Sequence, residues 1–388
     1  MHKIKIVHVI GTLNRGGAER FVIDLCNEMA KIEKYEVYIL SLCGNDPQNT
    51  FLNDLCADVN YITFNKKSGL SLGVLLRITN WLRDKNPHIV HSHLNGFEYL
   101  LLYSAFKSRT TFFHTIHNIA SFECPNFLIK TIRSFFYRNN KVTPITISMN
   151  GSRTYRDYYN LNNEIIIENA RPTLTTTAEL NSMYKKYKGD DPRFLLVHIG
   201  RISQEKNQAL LIESVKKFND TESTKCKLLI IGDVMDEDLN FKLTSLAKDD
   251  PNIEFLGGKN NIADYLSIAD AFCLSSISEG MPISLIEAMS LGCIPICTPV
   301  GGIKEMIKDG VTGFLSKNTT LDSYVQALKR AVYFKEKDFI RDNISKAFDN
   351  RYHIEISAKN HLTTYNKALN LFEGSDSAFE LLYKSRVN

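Results

Sequence analysis

The sequence predicts an α/β protein built from two doubly wound domains. Its 388 residues are too many for one domain of ordinary size and fit two. Apolar runs of strand length alternate with segments of helical periodicity from the N-terminus onward. The pattern restarts near Phe194, and each half opens with a strand, a glycine-containing loop and a helix. We therefore expect two parallel sheets covered by helices, facing each other across a cleft lined by loops at the carboxyl ends of the strands.

The first half, residues 1–170, is expected to begin with a strand over Ile4–Ile10. A loop over residues 11–17 follows, and Phe21, Leu25 and Met29 then recur on one face of a helix. Apolar runs predict further buried strands over residues 37–42, 89–93, 111–117 and 143–147. A polar stretch with Pro172 and several threonines predicts a linker over residues 171–191.

The second half, residues 192–350, repeats this organisation. A strand and the loop at Gly200 are followed by a helix from about Asn207. Apolar runs predict strands over residues 194–199, 227–231, 253–256, 271–274 and 294–297. Residues 351–388 are expected to form a C-terminal helical segment that packs on the domains.

Composition places the chain among soluble globular proteins, with 44% hydrophobic and 23% charged residues. The eight cysteines are scattered, and no secretory segment accompanies them, which indicates reduced thiols in a cytoplasmic protein. No apolar run of about 18 residues predicts a membrane span. Residues 1–171 hold 20 Lys and Arg against 14 Asp and Glu, whereas residues 172–388 hold 27 against 29. This asymmetry is too weak for nucleic-acid binding but fits a first half that faces something anionic.

The most specific motif runs from Ser278 to Met289. Pro282 stands where a helix can start, and Gly292 stands where it can end. The N–H groups of Ile283, Ser284 and Leu285 would then form an anion site suited to a diphosphate. Glu279 precedes that helix, and Glu287 lies roughly 7.5 Å along its axis. Two carboxylates therefore flank the anion site, one placed for a sugar and the other for ribose hydroxyls.

This Glu-x7-Glu motif resembles the signature of the retaining family 4 (group 1) glycosyltransferases, which have the GT-B fold of two Rossmann-like domains. The resemblance covers nearly the whole chain, and its motifs come in the family's order: residues 16–20, His117, Gly200-Arg201 with Lys206, Gly232-Asp233, Glu279 to Glu287, Gly301-Gly302 and Gly313-Phe314. It implies transfer of a hexosyl or N-acetylhexosaminyl group, with retention, from a nucleotide-diphosphate sugar. UDP is the family's usual nucleotide, a glycan or lipid-linked saccharide is the acceptor, and surface polysaccharide synthesis is the usual setting.

The resemblance also assigns the site residues and requires no metal or other cofactor. The catalytic residues are His117, Arg201, Lys206 and Glu279. The donor-binding residues are Gly16, Gly17, Arg201, Lys206, Leu256, Glu279, Gly280, Met281, Ile283, Ser284, Leu285 and Glu287. The acceptor-binding residues are Asn14, His91, His93, Asn95 and Asn118. Arg201 and Lys206 follow a buried strand, where they could neutralise the charge that develops on the leaving diphosphate.

Other site chemistries fit less well. The glycines at 11, 16 and 17 depart from the dinucleotide fingerprint, and no acid follows the second strand to hold an NAD ribose. A zinc site from His91, His93, His114 and His117 would lack a cysteine or acidic ligand. Asp236-Glu237-Asp238 imitates a metal-binding motif but sits where acids favour a helix start. His91 and His93 share one face of a strand, either towards the acceptor or packed in the core.

Two departures from the family pattern leave the sugar open: Met281 replaces a frequent aromatic, and Val234-Met235 replaces a usual glycine. The resemblance implies a front-face mechanism in which the leaving phosphate helps deprotonate the acceptor hydroxyl, and no residue stands out as a covalent nucleophile against it. A sugar-nucleotide epimerase or a phosphorylase-like enzyme on the same fold is an alternative, and so is a non-catalytic sugar-nucleotide sensor.

The segment from Phe127 to Lys141 predicts an amphipathic basic helix. Its apolar face contains Phe127, Leu128, Ile132, Phe135 and Phe136, and its cations are Lys130, Arg133, Arg138 and Lys141. One interpretation is a helix that lies on an anionic membrane surface, at the inner face of the cytoplasmic membrane. The other is a helix whose apolar face packs on the sheet and whose cations are solvated.

Overall fold

The computed structural model describes residues 3–67, 69–106 and 109–371, and the chain divides into two compact units. The first unit extends to Ala170 and also contains the helix that starts at Ile354. The second unit is Arg171–His353. Within the described residues, no helix combines the length and the apolar character needed to cross a bilayer.

The first unit contains one parallel sheet of seven strands in the order β3-β2-β1-β4-β5-β6-β7. Its strands are β1 Ile4–Ile10, β2 Tyr35–Ser41, β3 Asn60–Thr63, β4 Ile89–His93, β5 Thr111–Ile116, β6 Thr143–Thr146 and β7 Ile165–Ile166. The connecting helices are α1 Gly17–Ala30, α2 Leu72–Lys85, α3 Leu101–Phe106, α4 Ala120–Glu123, α5 Phe127–Arg138 and α6 Met149–Tyr159, with 3-10 turns at Leu52–Asp54 and Leu94–Leu100. The central strand β1 is almost wholly buried, as its mostly apolar sequence predicts.

The second unit contains a parallel sheet of six strands in the order β10-β9-β8-β11-β12-β13. Its strands are β8 Phe194–Ile199, β9 Cys226–Ile231, β10 Ile253–Gly257, β11 Ala271–Leu274, β12 Ile294–Cys297 and β13 Phe314–Leu315. Its helices are α7 Leu180–Tyr187, α8 Gln208–Thr221, α9 Glu237–Leu246, α10 Ile262–Ile268, α11 Ile283–Ser290, α12 Ile303–Met306, α13 Leu321–Tyr333 and α14 Lys337–Ala347, with a 3-10 turn at Gln204–Lys206 and a π-helical turn at Phe348–Tyr352. The last described helix is α15, Ile354–Ala368.

Both sheets reverse their strand order beside the first strand of the unit, which is the doubly wound arrangement that the alternating pattern predicts. The fold class is therefore confirmed. In the first unit the reversal lies between β1 and β4, and in the second between β8 and β11. Loops after these strands are where such sheets bind ligands.

The predicted linker over residues 171–191 is wrong, because this segment is folded within the second unit. Helix α7 buries Met183 and Tyr187. Before it, the backbone N–H and the hydroxyl of Thr177 donate to the buried carboxylate of Asp264 at 2.7 and 2.6 Å. The polar composition concealed a short amphipathic helix, since eight residues give too little periodicity to detect.

The C-terminal segment is helical in its described part, but it belongs to the first unit rather than continuing the second. Helix α15 packs on α1 and buries His361 and Tyr365. The rest of the predicted segment, residues 372–388, lies outside the described residues. All eight cysteines are free thiols, as expected.

Candidate functional site

The loops after β8 and β11 bring Lys206 and Glu279 together in the second unit. The Nζ atom of Lys206 donates to Oε1 of Glu279 at 2.6 Å, and the hydroxyl of Ser276 donates to the same oxygen at 2.6 Å. The Lys206 side chain keeps 21% of its exposure, whereas that of Glu279 keeps 9%. Lysine has three N–H donors. Lys206 can therefore hold Glu279 and still present donors to an anionic ligand.

Backbone contacts fix both loops tightly. The hydroxyl of Ser275 donates to the carbonyl oxygen of Asn207 at 2.8 Å, which joins the loop after β11 to the loop after β8. A Cβ atom on Gly301, whose φ is +51°, would lie 1.7 Å from the carbonyl oxygen of Glu279. A Cβ atom on Gly232 would lie 1.9 Å from the carbonyl oxygen of Gly200. Only glycine allows these two approaches.

Helix α11 begins beside this pair, with Pro282 before its first residue and Gly292, at φ +63°, after its end. The N–H groups of Ile283 and Ser284 lie at its free N-terminus, where an anion is favoured. The prediction for Leu285 is wrong in detail, because its N–H donates to the carbonyl of Pro282 at 3.2 Å. Tight first turns commonly close such a bond, which removes that donor from the anion site.

Glu287 lies within α11, and Arg171 is its protein partner. The two atoms Arg171 Nε and Glu287 Oε1 are 3.0 Å apart, and both side chains are buried. Ribose hydroxyls were the predicted partners of this carboxylate, and Arg171 was not predicted. No sequence signal could have found it, because Arg171 lies 116 positions earlier, in the segment taken for a linker.

The remaining predicted donor residues of the second unit differ in their exposure and in their contacts. Arg201 is exposed and forms no ion pair with the described residues. Leu256 is half-buried on β10, and Met281 is buried beside Pro282. The carbonyl oxygen of Gly280 accepts a hydrogen bond from Gly302 N–H at 2.9 Å. Asp236 caps α9 by accepting from Leu239 N–H at 2.9 Å, so the acidic tripeptide starts a helix as expected.

In the first unit, His117 follows β5, and its backbone is held by a carboxylate that was not predicted. Its backbone N–H donates to Oε2 of Glu123 at 2.7 Å. Glu123 in turn lies near the buried guanidinium of Arg133, with 3.7 Å between Oε1 and Nη1. Burial raises the pKa of Glu123 and lowers the pKa of His117 to about 4. His117 is therefore a neutral imidazole at neutral pH.

The ring of His93 contacts the ring of His117 on one side and the ring of His8 on the other. The Nδ1 atom of His93 lies 2.9 Å from Nε2 of His117, and Nε2 of His93 lies 3.0 Å from Nδ1 of His8. His91 stacks on His93, with ring centroids 4.3 Å apart, so the two side chains share a face as expected.

The assignment of His91 to the acceptor is corrected by its contacts. Its Nδ1 atom lies 2.5 Å from the hydroxyl of Tyr365, and its Nε2 atom lies 2.7 Å from that of Thr115. With both nitrogens bonded and the ring fully buried, His91 packs in the core. Within the described residues, His8, His91 and His93 are the group of side chains whose ligand atoms, all within 4.8 Å, could hold a metal ion. Those nitrogens already bond to one another and to hydroxyls, and no acid or thiol joins the group.

The other predicted residues of the first unit lie in loops that follow strands. Gly16 precedes α1 and Gly17 is its first residue. The side-chain oxygen of Asn14 accepts from Asp46 N–H at 2.8 Å, so it shapes its own loop. Asn95 and Asn118 are exposed, and the Asn118 side chain also accepts from Ile119 N–H at 2.8 Å.

Helix α5 forms as predicted, but Arg133 does not belong to its exposed face. Arg133 is 1% exposed, and its guanidinium donates to Glu98 at 2.6 and 2.8 Å. Arg133 therefore forms a buried ion pair with Glu98 and does not belong to a basic face of the helix. The exposed side chains instead form an apolar patch of Phe122, Phe127, Leu128 and Phe135, with exposures of 62%, 80%, 68% and 59%. Arg138, the last residue of the same helix, and Lys141, three residues beyond it, are exposed.

Two family models match the chain. The model described as Glycosyl transferases group 1 matches residues 182–344, and the model described as Glycosyltransferase Family 4 matches residues 15–163. The first match contains Lys206, Glu279 and Glu287, and the second contains His93 and His117. Each of the two units is thus matched over most of its length.

The chain is also similar to individual proteins over nearly its whole length. It is 25% identical over 398 residues to the capsular polysaccharide biosynthesis glycosyltransferase CapH of Staphylococcus aureus, with 99% of each chain covered. It is 22% identical over 362 residues to a Campylobacter jejuni N-acetylgalactosaminyltransferase named for an undecaprenol-linked acceptor, with 91% of this chain and 95% of that protein covered. The crystal structure of Anabaena HepE in complex with UDP-glucose superimposes with a TM-score of 0.79 at 16% identity, covering 94% of this chain and 100% of that one. That likeness shows the shared GT-B fold.

Proposed function

Since this chain belongs to the family 4, group 1 glycosyltransferases, we propose that it transfers a hexosyl or N-acetylhexosaminyl group, with retention, from a UDP-linked donor to a lipid-linked saccharide during surface polysaccharide synthesis. HepE, with the same fold, binds UDP-glucose. The relative from Campylobacter jejuni is named for a lipid-linked acceptor and CapH for capsule synthesis. These names support the donor, the acceptor class and the pathway.

The observation that carries this proposal is the Lys206–Glu279 pair beside the start of α11. An ammonium group and free helix N–H groups are suited to a diphosphate, while the carboxylate is suited to the hydroxyls of the attached sugar. Both kinds of group stand on loops after neighbouring parallel strands, β8 and β11. A diphosphate-linked sugar is the ligand that uses both.

In the proposed reaction the bond between the anomeric carbon and the diphosphate oxygen breaks while the acceptor hydroxyl attacks from the same face. The acceptor proton passes to the leaving phosphate. Lys206, the exposed Arg201 and the N–H groups of Ile283 and Ser284 stabilise the charge that develops on that phosphate. Because these groups supply positive charge, the proposal needs no divalent metal ion.

The neutral imidazole of His117 is proposed to orient the transferred sugar, and His93, Asn14, Asn95 and Asn118 to contact the acceptor. The exposed side chains of Asn95 and Asn118 support this assignment, because amide groups hydrogen bond well to saccharide hydroxyls. The loops that carry them follow β4 and β5 at the carboxyl edge of the first sheet.

The proposed activity is tested by NMR of a UDP-sugar incubated with the full chain and EDTA, with and without a lipid-linked saccharide. We expect slow hydrolysis of the donor alone and faster loss with acceptor, yielding a product of unchanged anomeric configuration. Epimerised donor without acceptor would contradict transfer and favour an epimerase. Tight binding with no donor loss under any condition would favour a sensor. A requirement for added divalent ion would contradict the metal-independent mechanism alone.

We also propose that the apolar patch on α4 and α5 places the protein on the inner surface of the cytoplasmic membrane, where a lipid-linked acceptor would be found. Monomeric proteins rarely leave several large apolar side chains exposed together without an interaction. Leu128 and Phe135 are seven residues apart, so they lie on the same side of α5. Arg138 and Lys141 would contact anionic head groups beside the patch.

A further inference from the structure

Three histidines in the first unit form a continuous hydrogen-bonded chain that ends at His117. His8 is on β1, His93 ends β4 and His117 follows β5. The parallel register pairs His8 with His91 and His93 with Thr115, which brings all three rings to one edge of the sheet. Each contact joins Nδ1 of one ring to Nε2 of the next: His8 to His93 at 3.0 Å, and His93 to His117 at 2.9 Å.

All three rings are neutral at neutral pH. Burial lowers the pKa of His8 to about 3, that of His117 to about 4 and that of His93 well below its ordinary value. A neutral imidazole has one N–H donor and one acceptor nitrogen. The chain therefore admits two fully bonded arrangements. Either every ring carries its proton on Nε2, or every ring carries it on Nδ1.

The arrangement with protons on Nε2 is the better one, because neutral histidine side chains intrinsically favour the Nε2–H form. At the His8 end of the chain, Nε2 has no hydrogen-bond partner among the described residues, so no protein contact there selects the opposite arrangement.

Of the two free ends of the chain, the one at His117 lies in the loop after β5 and indicates a ligand. The Nδ1 atom of His117 is buried and has no hydrogen-bond partner among the described residues. A buried polar atom without a partner is costly, unless a ligand supplies one. Glu123 accepts a hydrogen bond from the backbone N–H of His117 and so fixes the backbone there. What remains to be determined is the tautomer of the ring, which decides whether Nδ1 donates or accepts a hydrogen bond.

We propose that His8 and His93 are positioning residues that hold His117 in its Nε2–H tautomer, so that Nδ1 accepts a hydrogen bond from a hydroxyl of the transferred sugar. This rests on the proposed contact of His117 with that sugar. His117 Nε2–H donates to His93 Nδ1, and His93 Nε2–H donates to His8 Nδ1. Neither His8 nor His93 touches the sugar through these atoms, and both act through His117.

The tautomers can be read in the ligand-free full chain by long-range ¹H–¹⁵N NMR with ¹⁵N-labelled histidine, assigning His117 from a His117→Ala sample. In the wild type we expect Nε2 of His117 to be protonated and Nδ1 unprotonated. His8→Leu removes the acceptor for His93, and we expect the Nδ1–H form of His117 to appear. His8→Asn keeps an acceptor near the former Nδ1 and should restore the wild-type spectrum. His93→Leu is the second variant, should His8→Leu fail to fold.

His91→Leu is the matched control, since this ring is as buried as His93 but lies outside the chain. It should leave the His117 tautomer unchanged. We expect kcat/KM for the donor to fall about threefold to tenfold in His8→Leu, the scale of one neutral hydrogen bond, with recovery in His8→Asn. A wild-type His117 protonated at Nδ1, or a tautomer unchanged in both leucine variants, would overturn the inference. Full activity of His117→Ala would instead remove the proposed sugar contact and leave the tautomer result standing.

Discussion

Lys206 and Glu279 are 73 positions apart in the chain, yet one hydrogen bond joins them. Each was predictable as a motif residue, because each follows a buried strand in a loop of unusual composition. Their mutual contact, and the shared donor Ser276, depend on which strands become neighbours in the sheet. Arg171 and Glu123 were not predictable at all, since neither stands in a motif and both act through contacts distant in sequence.

Lys206→Ala and Arg201→Ala are each expected to lower turnover by about 10²-fold, because each removes positive charge that stabilises the leaving diphosphate. Lys242→Ala is the matched control, since Lys242 is an exposed cation on α9 of the same unit. Steady-state kinetics at subsaturating donor measure the effect. Near-wild-type kcat/KM in either site variant would refute the assigned role.

Glu279→Ala is expected to lower kcat more than it weakens UDP binding, since Glu279 is assigned to the sugar. Glu287→Ala is expected to destabilise the second unit by about 3–5 kcal/mol, because Arg171 loses its buried carboxylate partner. The milder Glu287→Gln therefore tests ribose binding, through calorimetry with UDP and a parallel denaturation curve. Loss of UDP binding in Glu279→Ala, with full binding in Glu287→Gln, would reverse the two assignments.

Helix α5 shows what periodicity can and cannot predict for an element. The pattern predicted the helix and left open whether its apolar face with Phe127 packs on the sheet or faces a membrane, but it placed Arg133 among the cations of the polar face. Arg133 is buried because Glu98 and Glu123, from two other elements, compensate its charge. The sequence of one helix cannot show which residues from other elements will pair with its charges. The linker prediction failed for a related reason, because burial of α7 depends on α10.

Vesicle binding is expected to depend on the apolar patch and on nearby cations. Phe127→Ser with Leu128→Ser should reduce co-sedimentation with vesicles containing about 30% anionic lipid, and Arg138→Glu with Lys141→Glu should reduce it further. Each cation contributes about 1 kcal/mol near such a surface, and added salt should weaken the binding. Phe241→Ser is the control, since Phe241 is 72% exposed in the second unit. Equal recovery of all variants on neutral and anionic vesicles would contradict membrane docking.

Across the whole molecule, buried histidines are distributed unequally between the two units. Among the described residues, the first unit buries five, His8, His91, His93, His114 and His361, and half-buries His117. Among described residues the second unit buries one, His198. Burial lowers the pKa of all seven, to about 4 for His198 and His361. The alternation of elements predicted both sheets, but this imbalance became visible only once the strands were paired.

The first unit is therefore expected to unfold in acid before the second. A histidine whose folded pKa lies below its unfolded value of 6.5 contributes stability that is full above pH 6.5 and is lost as pH falls towards 4. Between pH 6.5 and its folded pKa, each such histidine lowers the free energy of unfolding by up to about 1.4 kcal/mol for every unit by which the pH falls. Trp81, the single tryptophan, lies on α2 of the first unit and reports its unfolding by fluorescence. Far-ultraviolet circular dichroism reports both units, and coincident acid transitions by the two methods would contradict the prediction.

The most direct test of donor binding in the second unit is a thermal-unfolding panel with UDP-, GDP- and ADP-linked sugars in the presence of EDTA. A ligand at about 100 times its Kd stabilises the folded state by about 2.7 kcal/mol, which raises Tm by about 5–10 °C for a unit of this size. We expect a UDP-sugar to produce that rise in the wild type and a much smaller one in Lys206→Ala. No rise with any nucleotide sugar, or an equal rise in Lys206→Ala, would contradict a donor site built on Lys206, Glu279 and the start of α11.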